Sequence, residues 1–257
     1  MQLMRMQKIS MSLTQENLRE KNFHNELQSR SKGRYENIFY KALSNTWEDF
    51  FNYLEANAKN SEILDFGCGI GPSIKKVAKF SPKKITGIDI SEVSIKKAKE
   101  EIKNIKLNVD LNVDNCEKTK FSENKFDIIY GLGILHHLDF SKCLDEISRI
   151  LKPNGSMIFV EPLGTNPLIN LYRKFTPNSR SIDEHPLIAK DLRTLKEKFK
   201  DVEIKYYGFL TLIFFPFYSN PKKSILFKIV KKIDQFLFKI KIFRLFAWTV
   251  LIKAKKF

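Results

Sequence analysis

Apolar residues recur along the chain with two periods. Short apolar runs at Ile63–Phe66, Lys84–Asp89, Lys106–Val113, Phe126–Leu132, Gly155–Val160, Val202–Tyr207 and Ala247–Ala254 predict β-strands. Between them the spacing shifts to that of helices. Pro72 opens one that runs to about Lys79, and Ser91 caps one that runs to about Lys103. Ser141–Leu151 carries Cys143, Leu144, Ile147, Ile150 and Leu151 on one side, and Lys190–Phe199 makes a further helix. Strand and helix in alternation predict an α/β domain. The continuous apolar run Phe126–Leu132 suits the centre of a parallel sheet.

Outside this alternation the pattern changes three times. Residues 1 to about 20 are polar and unpatterned and predict a frayed tail; Ile38, Phe39, Leu43, Trp47, Phe50, Phe51 and Leu54 predict an amphipathic helix over Tyr35–Ala58. Leu163–Ala189, with its prolines and mixed charges, predicts an ordered loop with a short helix. Phe209–Phe246 separates the last two strands. The domain plan is an N-terminal tail and helical lid at 1–60, a core at 61–208 plus 247–257, and an insertion at 209–246.

The stretch Glu62-Ile63-Leu64-Asp65-Phe66-Gly67-Cys68-Gly69-Ile70-Gly71-Pro72-Ser73 joins a strand, a glycine turn and a helix N-terminus. Glycines let a ligand touch the backbone, and the helix end offers free N–H groups to it. The third glycine of a dinucleotide fingerprint would fall at Pro72, which weakens an NAD or FAD reading. Asp65 suits a cofactor with an ammonium group near the turn. Asp89, at the end of the second strand, can accept from two ribose hydroxyls.

These residues resemble the class I S-adenosylmethionine-dependent methyltransferases, and four further stretches extend the likeness. They are Gly87-Ile88-Asp89-Ile90-Ser91, Asp114-Asn115-Cys116-Glu117 with Phe121, Phe126-Asp127-Ile128-Ile129-Tyr130 with Leu135-His136-His137-Leu138, and Ile150-Leu151-Lys152-Pro153-Asn154-Gly155-Ser156. Together they cover roughly residues 61 to 162. The resemblance implies a Rossmann-like, mostly parallel seven-stranded sheet with an antiparallel last strand and helices on both faces. It also implies an N-terminal helical lid and a helical insertion between strands six and seven. The implied cofactor is S-adenosyl-L-methionine, bound by Asp65, Gly67, Cys68, Gly69, Asp89, Ile90, Asp114, Asn115, Cys116 and Gly131. Of these, Asp114 and Cys116 map to adenine recognition, with a turn-forming aspartate as the alternative. Phe23 and His24 would face the cleft or pack outside it. Gly131-Leu132-Gly133-Ile134 stands where amino-methyltransferases carry Asn or Asp followed by Pro-Pro-Tyr, which argues against nucleobase or amide nitrogen methylation by that mechanism.

Composition then narrows the partners. A formal charge of +16 asks for an anionic one. Much of the basic excess sits in the insertion, where eight Lys and Arg residues between Lys222 and Arg244 face the single acid Asp234 among bulky apolar residues. Such a stretch reads as an interfacial helix on an anionic membrane surface, with a cap on the sheet or a homodimer face as alternatives. Nucleic acid ranks last. Cys68, Cys116 and Cys143 form no metal-binding spacing, so no metal site is assigned, and a reducing cytoplasm is expected, with contact to the inner face of the cell membrane. The start of the chain carries no apolar run of signal-peptide type.

Methyl transfer to a hydroxyl needs a proton acceptor, and His137 and His185 are the catalytic candidates. Each has a structural alternative: packing a helix start or lining the cofactor pocket for His136 and His137, ordering its own loop for Glu184-His185, and capping a strand edge for Glu161. The acceptor class expected is oxygen, or carbon, of a small or lipid-linked molecule such as a quinone precursor or lipid-carried saccharide. An RNA methyltransferase and a non-catalytic cofactor-binding scaffold are the competing readings.

Overall fold

Seven strands form one sheet: β1 (Glu62–Phe66), β2 (Lys84–Asp89), β3 (Val109–Val113), β4 (Phe126–Leu132), β5 (Leu151–Pro162), β6 (Lys200–Tyr207) and β7 (Thr249–Lys255). The computed structural model describes residues 13–29, 38–177, 180–218 and 220–257. The strand order is β3-β2-β1-β4-β5-β7-β6, with β1 to β5 parallel and β7 antiparallel to both neighbours. This is the expected Rossmann-like sheet. Alternate residues feed opposite faces. Leu64, Phe66, Ile129, Met157 and Phe159 pack in one core cluster, while Ile63, Ile85, Ile128, Tyr130 and Ile158 pack in the other.

The helices are α1 (Gln15–Ser29), α2 (Ser44–Asn57), α3 (Pro72–Val77), α4 (Glu92–Ile102), α5 (Phe140–Ile150), α6 (Pro167–Phe175), α7 (Ala189–Lys198), α8 (Leu210–Ile213) and α9 (Ile225–Leu237). Helix α1 corrects the frayed-tail expectation for residues 15–20. Its start is fixed reciprocally, Asn17 N donating to Thr14 Oγ1 and Thr14 N to Asn17 Oδ1, both at 3.1 Å. The residues it buries are the polar Asn17 and Glu20, so no apolar stripe marks it in the sequence. Residues 1–12 of the expected tail, and the Tyr35 start of the amphipathic helix, lie outside the described residues. That helix is regular only from Ser44, after a 3-10 turn at Ile38–Leu43.

One further boundary moves. Strand β5 begins at Leu151 rather than Gly155, because a register shift between its pairings with Phe126 and Ile128 absorbs the Lys152–Gly155 turn residues. In the insertion, α9 turns Phe227, Val230 and Asp234 inward. Buried Asp234 accepts from Leu210 N at 2.8 Å, Thr211 N at 3.1 Å and Thr211 Oγ1 at 2.9 Å, tying α9 to the start of α8. The one acid of the insertion therefore ties its two helices to each other.

Candidate functional site at the carboxyl edge of the sheet

The turn after β1 is built from main chain. Gly67 N and Cys68 N both donate to Ile88 O, at 2.9 and 2.8 Å, and Gly69 N donates to Asp89 Oδ2 at 2.9 Å. Gly67, Gly69 and Gly71 all have positive φ (77°, 53° and 82°), which favours glycine. Their surroundings differ. A Cβ on Gly67 would lie 2.6 Å from Ile134 Cγ1, whereas one on Gly69 would meet nothing within 4 Å. Space for a ligand therefore lies over Gly69. Cys68 is buried in the turn, and burial pushes its thiol well up, so it fills space rather than reacting.

Two carboxylates flank the turn. Asp65 is buried and accepts from Ser73 Oγ at 2.7 Å and Tyr130 OH at 2.9 Å; burial pushes it up to about 7 against those two bonds. Asp89 accepts from Ser91 N at 2.9 Å as well as Gly69 N, so both its oxygens are oriented while lone pairs remain for a ligand. Burial raises it, and the bonds from Ser91 and Gly69 oppose the rise. Ile90 follows it, half-buried.

Beyond β3, Asp114 accepts from Asn115 N at 3.0 Å and Lys120 N at 3.1 Å, which is the turn-forming arrangement. Asn115 donates through Nδ2 to Asn17 of α1 at 3.1 Å, and Cys116 is buried in the core. Gly131, next to last in β4, lies beside Phe159, whose Cε1 would be 2.6 Å from an added Cβ.

The segment after β4 carries the paired histidines in a 3-10 turn, Leu135–His137. Glu161, fully buried at the end of β5, accepts from Ile134 N and Leu135 N at 2.9 Å each and meets His136 Nδ1 at 2.7 Å. Burial raises Glu161 to about 7 even so. His137 is 8% exposed, and burial followed by the neighbouring His136 lowers it, favouring the neutral imidazole.

Helix α1 lies across this edge. Its Asn25 accepts from Ser91 Oγ at 2.6 Å, Asn17 meets Asn115, and Arg19 makes a two-pronged pair with Asp183 at 2.7 Å. Glu20 and His24, one turn apart, reach His137: Glu20 Oε2 is 3.2 Å from His137 Nδ1, and the His24 and His137 rings meet edge to face at 5.2 Å. Burial would raise Glu20, but the two imidazoles and Ser181 outweigh it and hold the carboxyl well below its usual range. The His185 imidazole is exposed, with Nδ1 3.1 Å from Asp183 O, although the main-chain N–H of His185 donates to His136 O at 2.9 Å. Its neighbour Glu184 turns inward instead, Oε1 lying 3.9 Å from His136 Nε2. Sequence reasoning missed Glu20 and Glu184. The i, i+4 spacing of Glu20 and His24 was the available signal for the first.

A family profile described as a methyltransferase domain matches residues 64–159, from β1 into β5. A methyltransferase domain of the S-adenosylmethionine-dependent kind therefore spans residues 64–159. The chain is 29% identical over 179 residues to phosphoethanolamine N-methyltransferase 3 of Arabidopsis thaliana, covering 65% of this chain and 36% of that one. It is 26% identical over 174 residues to demethylmenaquinone methyltransferase of Listeria welshimeri, covering 60% of this chain and 74% of that one. Geranyl diphosphate C-methyltransferase of Streptomyces coelicolor shares its fold with a TM-score of 0.66 at 13% identity, over 96% of this chain and 100% of that one. The chain spans about a third of the length of the first curated relatives it matches.

Proposed function

We propose that this chain transfers the methyl group of S-adenosylmethionine to oxygen, or carbon, of a small or lipid-linked acceptor. The open space over Gly69, between Asp65 and Asp89, fits such a cofactor: Asp89 would take the ribose hydroxyls, and Asp65 would face the ammonium end. Asp114 and Cys116 would adjoin the adenine. When bound, the cofactor supplies a methyl already made electrophilic by its sulfonium. The protein's part is to align the acceptor, exclude water and receive a proton.

The observation that carries the reading is His137, a neutral, buried imidazole beside the cradle and beneath α1. For a hydroxyl acceptor the carbon–sulfur bond breaks as the oxygen–carbon bond forms, the proton passes to His137, and S-adenosylhomocysteine leaves. His185, exposed on the next loop, would serve only an acceptor that reaches outside the cluster. Calorimetric titration with S-adenosylmethionine and S-adenosylhomocysteine tests the cofactor assignment. Micromolar binding supports it, and absence of binding to the folded chain overturns it.

Lipid character in the acceptor is supported by the outer face of α9 and of the 3-10 segment Lys241–Phe246 beyond it. Ile225, Ile229, Phe236, Ile240, Ile242 and Leu245 are exposed, interleaved with exposed Lys228, Lys232, Lys239 and Lys241. Among the described residues no helix is long and apolar enough to cross a membrane. An apolar, basic outer face of this kind suits attachment to an anionic surface from one side. Relatives named for sterols, menaquinone and geranyl diphosphate agree with an isoprenoid-type acceptor. Co-sedimentation with anionic vesicles should fall sharply for Lys228→Glu with Lys232→Glu, residues outside the Asp234 fastening. Unchanged sedimentation would remove the membrane from this reading.

A further inference from the structure

Three buried side-chain atoms around His137 lack a hydrogen-bond partner among the described residues: Glu20 Oε2, His137 Nδ1 and Glu184 Oε2. Burying such atoms unpaired is costly, and natural interiors rarely leave them so. Their arrangement is specific. Glu20 Oε2 lies 3.2 Å from His137 Nδ1 and 3.5 Å from His24 Nε2, at ion-pair distance from both but aligned for a hydrogen bond with neither. Donor atoms around a tetrahedral ion with bonds of about 2.0–2.1 Å stand about 3.3 Å apart. The two separations from the carboxylate oxygen to the imidazole nitrogens are thus close to those a shared ion produces, and all three ligand atoms lie within 4.8 Å of one another.

The surroundings hold these donors in place. Glu20 is 4% exposed, and its other oxygen accepts from Ser181 Oγ, which turns Oε2 toward the histidines. Glu20 and His24 share one face of α1, and His137 comes from the opposite side of the gap, in the turn that Glu161 caps. Glu184 and His136 form a second half-circle about His137, but His136 Nδ1 is engaged by Glu161, and its other nitrogen is 3.9 Å from Glu184.

We propose that Glu20, His24 and His137 form a binding site for one divalent transition-metal ion, of the zinc(II) or iron(II) class, that clasps α1 to the body of the domain. Two nitrogen ligands with one carboxylate favour such ions over magnesium or calcium, which prefer all-oxygen shells. Three protein ligands leave a coordination position for water or an acceptor oxygen. The site goes beyond the methyl-transfer reading and stands without it. It also alters that reading's proton acceptor: with the ion bound, His137 Nδ1 is a ligand, and an acceptor hydroxyl held by the ion would lose its proton more readily.

The test uses the full chain, stripped with a chelator and titrated with zinc(II), cobalt(II) and magnesium chlorides. One zinc(II) per chain is expected, with visible ligand-field absorption when cobalt(II) replaces it and much weaker uptake of magnesium. Glu20→Gln and His24→Ala should each weaken zinc(II) binding at least ~10-fold, since even indirect support of a ligand is worth 10–100-fold. His185→Ala should leave binding unchanged. Zinc(II) should also slow amide hydrogen exchange across residues 15–29, a readout independent of cofactor and activity. Equal zinc(II) binding by a folded Glu20→Gln, His24→Ala double variant, preference for magnesium, or unaltered exchange in α1 would overturn the site. Failure to bind S-adenosylmethionine would bear only on the methyl-transfer reading.

Discussion

The glycine turn and the underside of α1 face each other across the same edge and are built in opposite ways. In the turn, Gly67 N, Cys68 N, Gly69 N and Gly71 N all have acceptors within the protein. Its shape is set before any ligand arrives, and what it offers is open space over Gly69. Under α1, Glu20 Oε2 and His137 Nδ1 converge without hydrogen-bond geometry, and the helix is held by polar side-chain links: Lys21–Glu92, Asn25–Ser91, Asn17–Asn115, Arg19–Asp183 and Glu20–Ser181. Polar and partly exposed links contribute little to docking. A rigid cradle thus faces a lightly fastened cover, which suits a site that must admit a ligand and then exclude water.

The largest test of that contrast compares two glycines. Gly67→Ala meets both a left-handed φ and the Ile134 side chain at 2.6 Å. Together these should cost about 2–5 kcal/mol of stability in a thermal or denaturant melt. Gly69→Ala has the φ penalty alone, about 1–2 kcal/mol. It should nevertheless lose cofactor binding out of proportion to its stability, because its Cβ occupies the ligand's space. Equal stability loss at both positions would break the contrast. Next in size, Asp89→Ala should weaken S-adenosylmethionine by about 1.5–3 kcal/mol through loss of a charge-assisted contact, measured by calorimetry on a variant shown to be folded.

The difference in construction also explains what could be read in advance. The sheet, its order-determining glycine turn and Asp65 and Asp89 were legible because local spacing encodes them: apolar runs for strands, positive-φ glycines, and a carboxylate at each strand end. Helix α1 was not, because it is held by Asn17, Glu20 and Asn25 acting across the fold on Asn115, His137 and Ser91, and such pairings leave no periodic trace. The same holds for Asp234, which looked like a stray acid among lysines and proved to cap α8. Where packing is apolar, the pattern is in the sequence; where it is polar and long-range, only the fold brings the partners together.

A smaller effect should come from pH at Asp65, raised by burial from an ordinary value of 3.8 to about 7. A carboxyl raised on folding contributes stability that is full below its unfolded value and is lost as pH climbs through the folded one. Asp65 thus lowers the melting temperature of the ligand-free protein between about pH 4 and pH 7, the window set by those two values. A cofactor ammonium pairs with the ionised form only. Affinity should therefore rise about tenfold from pH 6 to pH 8, and the cofactor-induced melting shift should grow with it. Asp65→Asn should abolish that slope. A flat profile in the unmodified protein would detach Asp65 from the ligand.

The smallest effect tests the cover alone. Asn25 reaches Ser91 from α1 through a single partly buried hydrogen bond of 2.6 Å, and Ser91 sits two residues beyond Asp89. Asn25→Ala should cost about 0.5–1.5 kcal/mol, lost from α1 docking rather than from the sheet. Hydrogen exchange would therefore quicken a few-fold in residues 15–29 while strands β1 and β4 keep their protection. Ser91 keeps its second role as the cap of α4, accepting from Ser94 N at 3.0 Å, so the cradle side should be undisturbed. If exchange instead quickened equally in α1 and the central strands, the helix would be an integral part of the core. The distinction between fixed cradle and light cover would then fail.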